Sequence, residues 1–404
     1  MRAPRPPFTP VASDAEELEL PIERLASGGE GVGRASDGRV VFVPFTAPGD
    51  RVRVRVTQQR KRFVRAEVRE LLEPGAARTD PVCAVFGSCG GCAWQHVDYA
   101  AQLEAKCGIV ADALTRIAGL ELPAPIEIVP SPSPYAWRSR TRLVCESGRI
   151  GYRRRQSRAL QAVTHCPVLV PDLDAALHAW AASPPADGEF ELAQGDGAVR
   201  ATRLEDARAT ANAARIGLRA GSDRLELSAG VFFQAHAGLR DALLEAALDA
   251  AGSGRVAADL FAGAGFFSLG LARRFERVVA VEADPAAAAD LRQNAEAAGL
   301  RNLEVVEAPV ERALPRVRGA DVLLLDPPRT GLPRGLAEAL ARDAASRVVY
   351  VSCEPSTLAR DLVAFRAGGL VPVRVTAFDL FPQTPHVEVL TRLERGVAHP
   401  PRGA

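Results

Sequence analysis

From Gly238 onward, stretches with helical periodicity alternate strictly with short apolar runs, and no other feature narrows the fold as far. Leu239–Ala251, Phe267–Arg274, Pro285–Ala298, Gly335–Ala341 and Pro355–Ala367 read as helices. Between them, Val256–Leu260, Val278–Glu282, Leu303–Val306, Val322–Leu325 and Val348–Ser352 read as strands. That order predicts a right-handed parallel α/β sheet, because a helical crossover is what joins parallel neighbours. Val371–Phe378 and Val387–Leu393 add two expected edge strands, the last open to antiparallel pairing.

A chain of 404 residues exceeds one small core, so further domains precede this one. Residues 1–13 hold four prolines and read as a disordered arm. Over residues 14–75, five short strands (Leu18–Leu25, Gly31–Ala35, Arg39–Val43, Arg51–Gln58, Arg62–Leu72) predict a barrel of the OB type. Residues 76–235 form a central α+β region, and 236–404 the α/β domain. In the central region Asp98–Leu120 reads as a helix and Pro123–Pro134 as a proline-rich connector. Arg138–Val144 and Arg149–Arg155 read as strands around Ser147-Gly148, followed by a helix over Asp172–Ala182. No apolar run approaches the roughly 20 residues that span a bilayer, and the N-terminus lacks a secretory apolar centre. A cytoplasmic protein without a membrane partner is expected.

Net charge is only +1, but residues 1–160 carry 24 Lys and Arg against 18 Asp and Glu, and the remainder 26 against 31. A basic front suits a polyanion such as RNA. In Arg51-Val52-Arg53-Val54-Arg55-Val56 the valines take one face and the arginines the other. Three like charges in register repel, which favours a bound polyanion over a merely solvated face. Arg60, Lys61, Arg62 and Arg65 extend that stripe. Arg138, Arg140, Arg142, Arg149, Arg153, Arg154, Arg155 and Arg158 form a second basic group.

Ligands of open α/β sheets sit beyond the carboxyl ends of the strands. Asp259-Leu260-Phe261-Ala262-Gly263-Ala264-Gly265 lies at such an end, and Gly263 and Gly265 permit close backbone approach. Glu282 ends the next strand, 23 residues after Asp259, where an acid grips ribose hydroxyls. NAD and S-adenosylmethionine pockets share that pattern, but the short GxG form lacks a phosphate cradle and suits S-adenosylmethionine. Asp326-Pro327-Pro328-Arg329 closes another strand. Cys353 closes the next, before a helix opening at Pro355, where the helix dipole favours thiolate. A thiolate beside a methyl sulfonium points to addition at carbon 6 of uracil, which makes carbon 5 nucleophilic. A separate base must then remove the carbon 5 proton; Glu388 is the candidate, with Asp326 orienting the base edge. Glu354, beside the cysteine, opposes thiolate formation unless it faces solvent.

The seven cysteines are Cys83, Cys89, Cys92, Cys107, Cys145, Cys166 and Cys353. C-x5-C-x2-C with a remote fourth cysteine favours zinc or an iron–sulfur cluster over disulfides in this setting. Cys107 and Cys145 fall outside the pattern and read as core residues.

CAVFGSCGGCAWQH, FFQ, DLFAGAGFFSL, DPPRTGL, YVSCEPSTLARDL and FPQTPHVE occur in this order. From about Leu18 onward the chain thereby resembles the bacterial RNA uracil-5 methyltransferases, in particular the ribosomal RNA branch with a TRAM domain and an iron–sulfur cluster. The resemblance implies a class I, Rossmann-like S-adenosylmethionine-dependent methyltransferase domain with a TRAM barrel and a central iron–sulfur domain. It implies Cys353 as nucleophile and Glu388 as proton acceptor. Gln234, Phe261, Glu282 and Asp326 match S-adenosylmethionine-site positions, and Cys83, Cys89, Cys92 and Cys166 match the ligands of a [4Fe–4S] cluster. Large-subunit ribosomal RNA is the implied substrate, with tRNA as the near alternative and an RNA-binding protein without catalysis as the distant one. No obligate protein partner is implied, and a monomer is expected. His236 and Glu354 stand where the family usually has asparagine, and Ala308-Pro309 where it usually has a polar residue.

Overall fold

The computed structural model describes residues 16–121, 125–209, 215–343 and 346–396. The arm expected over 1–13 and part of the proline-rich connector lie outside the described residues. Two compact units result: one comprises residues 1–106 with 383–385, the other 107–382 with 386–404.

In the first unit, β1 (Glu17–Leu25), β2 (Gly31–Arg34), β3 (Val40–Val43), β4 (Arg51–Gln59) and β5 (Phe63–Glu73) close a barrel in the order β1-β2-β3-β5-β4. Alternation along β4 sends Val52, Val54 and Val56 inward, against Leu20, Ile22, Val41, Val43 and Val64. The outward arginines correct the expectation of a repelling stripe. β4 runs between β1 and β5, whose facing residues are acidic. Arg51 meets Glu73 at 3.1 Å and Glu19 at 3.5 Å, Arg53 meets Glu19 at 2.7 Å and also Glu70, and Arg55 meets Glu67 at 3.8 Å. Cross-strand pairing therefore neutralises that face. The exposed Arg60, Lys61 and Arg62 sit instead at the β4–β5 turn. Helix α1 (Tyr99–Arg116) follows the cysteine-bearing loop.

The second unit opens with β6 (Glu127–Val129), inside the expected connector. β7 (Arg140–Glu146) and β8 (Arg149–Arg153) form a hairpin through Ser147 (φ 52°) and Gly148 (φ 69°). With β9 (Leu160–Ala162), β10 (Gly188–Gln194) and β11 (Val199–Arg203) they make a sheet ordered β11-β10-β7-β8-β9. Helix α2 (Pro171–Ala182) precedes β10. Helix α3 (Leu204–Ala209) and the hairpin β12 (Arg215–Ala220)–β13 (Asp223–Ser228) follow β11.

The alternating region supplies α4 (Arg240–Ala251), β14 (Gly254–Leu260), α5 (Ser268–Ala272), β15 (Phe275–Glu282), α6 (Pro285–Ala297) and β16 (Leu303–Glu307). It continues with α7 (Val310–Val317), β17 (Val322–Leu325), α8 (Leu336–Asp343), β18 (Arg347–Ser352), α9 (Pro355–Ala367), β19 (Leu370–Phe378) and β20 (Glu388–Arg395). The sheet order is β16-β15-β14-β17-β18-β20-β19-β6, parallel from β16 to β18. Alternate residues enter two cores: Ala257, Val322, Leu324, Val349 and Val351 one, Ala258, Leu323, Leu325, Val348 and Tyr350 the other. Such two-sided burial explains why these strands read as unbroken apolar runs. The expected edge position of the last strand is corrected: β20 lies between β18 and β19, antiparallel to both. β6 occupies that edge beside β19. No helix among the described residues is long and apolar enough to cross a membrane.

Candidate active site

The site lies at the carboxyl ends of the parallel strands. After β14 the chain turns through three left-handed residues, Phe261 (φ 66°), Gly263 (φ 56°) and Gly265 (φ 100°). A left-handed phenylalanine costs on the order of 1–3 kcal/mol and persists only where its surroundings hold it. Among the described residues, a Cβ on Gly263 would meet nothing within 4 Å, so this backbone faces open space; on Gly265 it would collide with Leu291 and Leu269. Gly263 thus leaves room for a ligand, whereas Gly265 serves packing. Glu282 ends β15, and its two carboxylate oxygens accept the N–H groups of Gly263 and Asp284, each at 2.7 Å. Gln234 is buried on the segment entering α4. An acid at a strand end beside an uncovered glycine backbone fits the methionine-nucleoside cofactor expected there.

Register brings the candidate catalytic side chains together. Ser352 at the end of β18 pairs with Val389 of β20, so the next position, Cys353, comes opposite Glu388. Asp326 follows β17, the other neighbour of β18. Burial pushes the Cys353 thiol up to about 12; the Glu388 carboxylate adds to the rise, the Arg329 guanidinium opposes it by charge and hydrogen bond, and Asp326 adds less. This corrects the expectation of a ready thiolate: loss of solvation and a facing carboxylate outweigh the helix end. Glu354 is not among the groups acting on the thiol. Its carboxylate caps α9, accepting from the Ser356 N–H at 3.4 Å and the Ser356 hydroxyl at 2.8 Å.

Glu388 is 2% exposed, and among the described residues its Oε1 has no hydrogen-bond partner. Burial, then Asp326, raises its pKa well above the usual carboxylate range, against the pull of Arg329. Asp326 is likewise pushed up to about 7 by burial and by Asp259. Asp259 rises to about 7 through burial, opposed by the Ser268 hydroxyl and assisted by Glu282. Asp259, Asp326 and Glu388 are thus buried carboxyl groups that cannot all ionise together at neutral pH. In the sequence Arg329 is only the residue that follows two prolines; its place beside Cys353 and Glu388 is what marks it.

His236 explains its own departure. Its Nδ1 accepts the Leu239 N–H at 3.0 Å, so Nε2 carries the proton and donates to Ser131 Oγ at 2.8 Å. The ring stacks on Trp137 at 5.4 Å. An asparagine oxygen supplies the same acceptor at the entry to α4. Pro309, the other departure, sits at the N-cap of α7. Within the second basic group, Arg140 is corrected to a buried residue paired with Glu191, and Arg153 meets Glu146 at 2.6 Å; Arg142, Arg154 and Arg158 stay exposed.

Cys83, Cys89 and Cys92 belong to the first unit, where the Gly91 N–H lies 3.4 Å from Cys89 Sγ, and Cys166 belongs to the second. Among the described residues, no three His, Cys, Asp or Glu side chains gather to hold a metal ion.

A family model described as tRNA (Uracil-5-)-methyltransferase matches residues 222–396, and a TRAM domain model matches residues 15–68. An uncharacterized RNA methyltransferase of Streptomyces coelicolor is 33% identical over 96% of this chain and 95% of its own length. The 23S rRNA (uracil(1939)-C(5))-methyltransferase RlmD of Chromohalobacter salexigens is 35% identical over 96% of this chain and 91% of its own. Among solved structures, the Pyrococcus abyssi tRNA (uracil-54, C5)-methyltransferase in complex with S-adenosyl-L-homocysteine superposes with a TM-score of 0.73. It shares 24% identity and covers 93% of this chain and 100% of its own, which establishes the common fold.

Proposed function

We propose, on the premise that the chain belongs to the RNA uracil-5 methyltransferase family, that it methylates carbon 5 of a uridine in large-subunit ribosomal RNA through an adduct with Cys353. The observation that carries this reading is a thiol and a buried carboxylate, Cys353 and Glu388, with Arg329 acting on both. S-adenosylmethionine, held by Gln234, Phe261, Gly263 and Glu282, supplies the methyl group as an electrophile when bound. Cys353 Sγ, its thiol proton released to solvent, would bond to carbon 6 and push an electron pair onto carbon 5, which would take the methyl group as the donor's S–CH3 bond breaks and its sulfur leaves as the thioether. Arg329 favours the thiolate needed for that attack. Glu388 then removes the carbon 5 proton; the C5–C6 double bond re-forms, the Sγ–C6 bond breaks, and the thiolate leaves with the electron pair. A carboxylate in low-dielectric surroundings is an unusually strong base once ionised. Asp326 orients the base edge.

Ribosomal RNA is favoured by relatives such as the Chromohalobacter enzyme, a 23S rRNA uracil-5 methyltransferase. The exposed Arg60, Lys61 and Arg62 of the barrel, and Arg142, Arg149, Arg154 and Arg158 of the second unit, are cations available to phosphate. Extruding the uridine from a stem costs a few kcal/mol, which such contacts offset. The [4Fe–4S] reading of Cys83, Cys89, Cys92 and Cys166 rests on spacing and resemblance alone, and no step passes through it. The test is Cys353→Ala: 5-methyluridine formation disappears while calorimetric S-adenosylmethionine binding persists, and a fully active variant overturns the mechanism. Mapping 5-methyluridine in ribosomal and transfer RNA from cells with and without the gene identifies the substrate.

A further inference from the structure

The segment Pro328–Leu332 carries Arg329; Pro327 and Pro328 at its start offer no backbone N–H, and it belongs to no strand or helix. What holds it is a set of side chains on α9. The Thr357 hydroxyl lies 3.2 Å from the Arg329 carbonyl. Arg360 Nη2 donates to the Thr330 carbonyl at 3.2 Å and the Leu332 carbonyl at 3.1 Å. Asp361 Oδ2 accepts the Leu332 N–H at 2.8 Å and the Tyr350 hydroxyl at 2.8 Å, while its Oδ1 accepts Arg360 Nε at 2.8 Å. The remaining bond, Gly331 N–H to the Pro328 carbonyl at 2.8 Å, closes the turn itself.

Space in this clamp is tight. Gly331 is left-handed (φ 71°), and a Cβ there would come within 2.8 Å of Asp361 Oδ2 and 2.9 Å of Thr357 Cβ. Asp361 is 5% exposed, and Leu332 and Tyr350 are buried, so the Leu332 N–H and Tyr350 O–H that it accepts have no water to turn to. Tyr350 lies on β18 and α9 follows Cys353 directly. The clamp therefore fixes the Arg329 backbone to the same strand and helix that carry the thiol.

We propose that Asp361, acting through Arg360 and Tyr350, is a positioning residue that sets the Arg329 guanidinium against Cys353. Asp361 touches neither substrate nor thiol; it governs the thiol by holding the loop from which Arg329 reaches it. An asparagine at 361 keeps the shape but turns an amide donor toward a donor, either Leu332 N–H, Tyr350 O–H or Arg360 Nε–H. The loop is then released, and Arg329 loses its fixed approach. This proposal rests on the reading of Cys353 as nucleophile.

The test reads the thiol itself. Full-length protein is alkylated with iodoacetamide at fixed pH, and the Cys353 adduct is followed by peptide mass spectrometry. Below a thiol's pKa the thiolate fraction drops tenfold for each unit the pKa rises. Arg329→Met is expected to slow alkylation about tenfold, the order expected when a neighbouring cation is lost. Asp361→Asn should slow it by a similar factor, and the double variant by no more than the larger single effect. Tyr350→Phe removes one hydroxyl and should slow alkylation in the same direction by less, which keeps the test available if Asp361→Asn does not fold. Wild-type alkylation rates in both Asp361→Asn and Tyr350→Phe, with a slowed Arg329→Met, overturn the clamp, as does a double variant whose effects multiply. The nucleophile reading fails separately, if wild-type protein alkylated at Cys353 still forms 5-methyluridine at full rate.

Discussion

Replacing Asp259 with asparagine should stabilise this protein at alkaline pH and leave it unchanged in acid. Asp259 is fully buried at the end of β14, and its Oδ1 has no hydrogen-bond partner among the described residues. Its folded-state value rises from 3.8 to about 7, chiefly through burial. A carboxyl raised on folding binds its proton more tightly in the native chain. Its contribution is therefore complete below about pH 4 and is lost as pH climbs through about 7. At about 1.4 kcal/mol per unit, a rise of this size corresponds to about 4 kcal/mol. Local relaxation lowers that by up to about half, so about 2–4 kcal/mol is expected. The asparagine side chain in the Asp259→Asn variant would still accept from the Ser268 hydroxyl, which now bonds Oδ2, and would carry no charge toward Asp326. Melting curves from pH 5 to 9 should show the variant several degrees more stable at pH 8.5, since about 1 kcal/mol moves a domain of this size 2–4 °C. The gap should close toward pH 5. Curves that stay parallel across the range, or a variant weaker by a constant margin, would refute the electrostatic argument.

The other expectations concern chemistry and binding. Glu388→Gln should accumulate an RNA–protein adduct on denaturing gels, because release needs the carbon 5 proton removed; no adduct with sustained turnover would take Glu388 out of that role. Glutamine at Arg60, Lys61 and Arg62 together should reduce the slope of log affinity against log salt by about 2–3. The same change at Arg51, Arg53 and Arg55, already paired to glutamates, should alter RNA affinity little, and a large loss there would restore the stripe as the RNA contact. Anaerobically purified protein should be brown, with about four irons per chain if the cysteines hold a cubane cluster; one zinc and no colour would reverse that assignment.

Much of the molecule was readable before folding was considered. The strands after Gly238 announced themselves because each is buried on both faces, and the barrel strands because each is buried on one. Glu282, Gly263 and Cys353 stood out as candidates because they fall at strand ends, which turn signals mark. Other features carried no local signal. Glu127–Val129 is three residues among prolines and becomes a strand only because β19 offers it an edge. The β4 arginines looked unpaired because their partners, Glu19, Glu67, Glu70 and Glu73, lie on β1 and β5. Arg140 looked like a surface cation and is instead buried against Glu191.

Sequence alone thus determined the class of fold and the family, and it singled out the candidate reacting groups, because periodicity, turn chemistry and motif order are properties of the chain as written. The protonation of those groups was decided by tertiary structure. Insertion of β20 beside β18 brings Glu388 against Cys353, and burial removes the water that would have stabilised both charges. Solvation and distance between residues remote in sequence exist only once the chain has folded, so a thiol that reads as activated beside its helix is instead pushed toward its protonated form by burial.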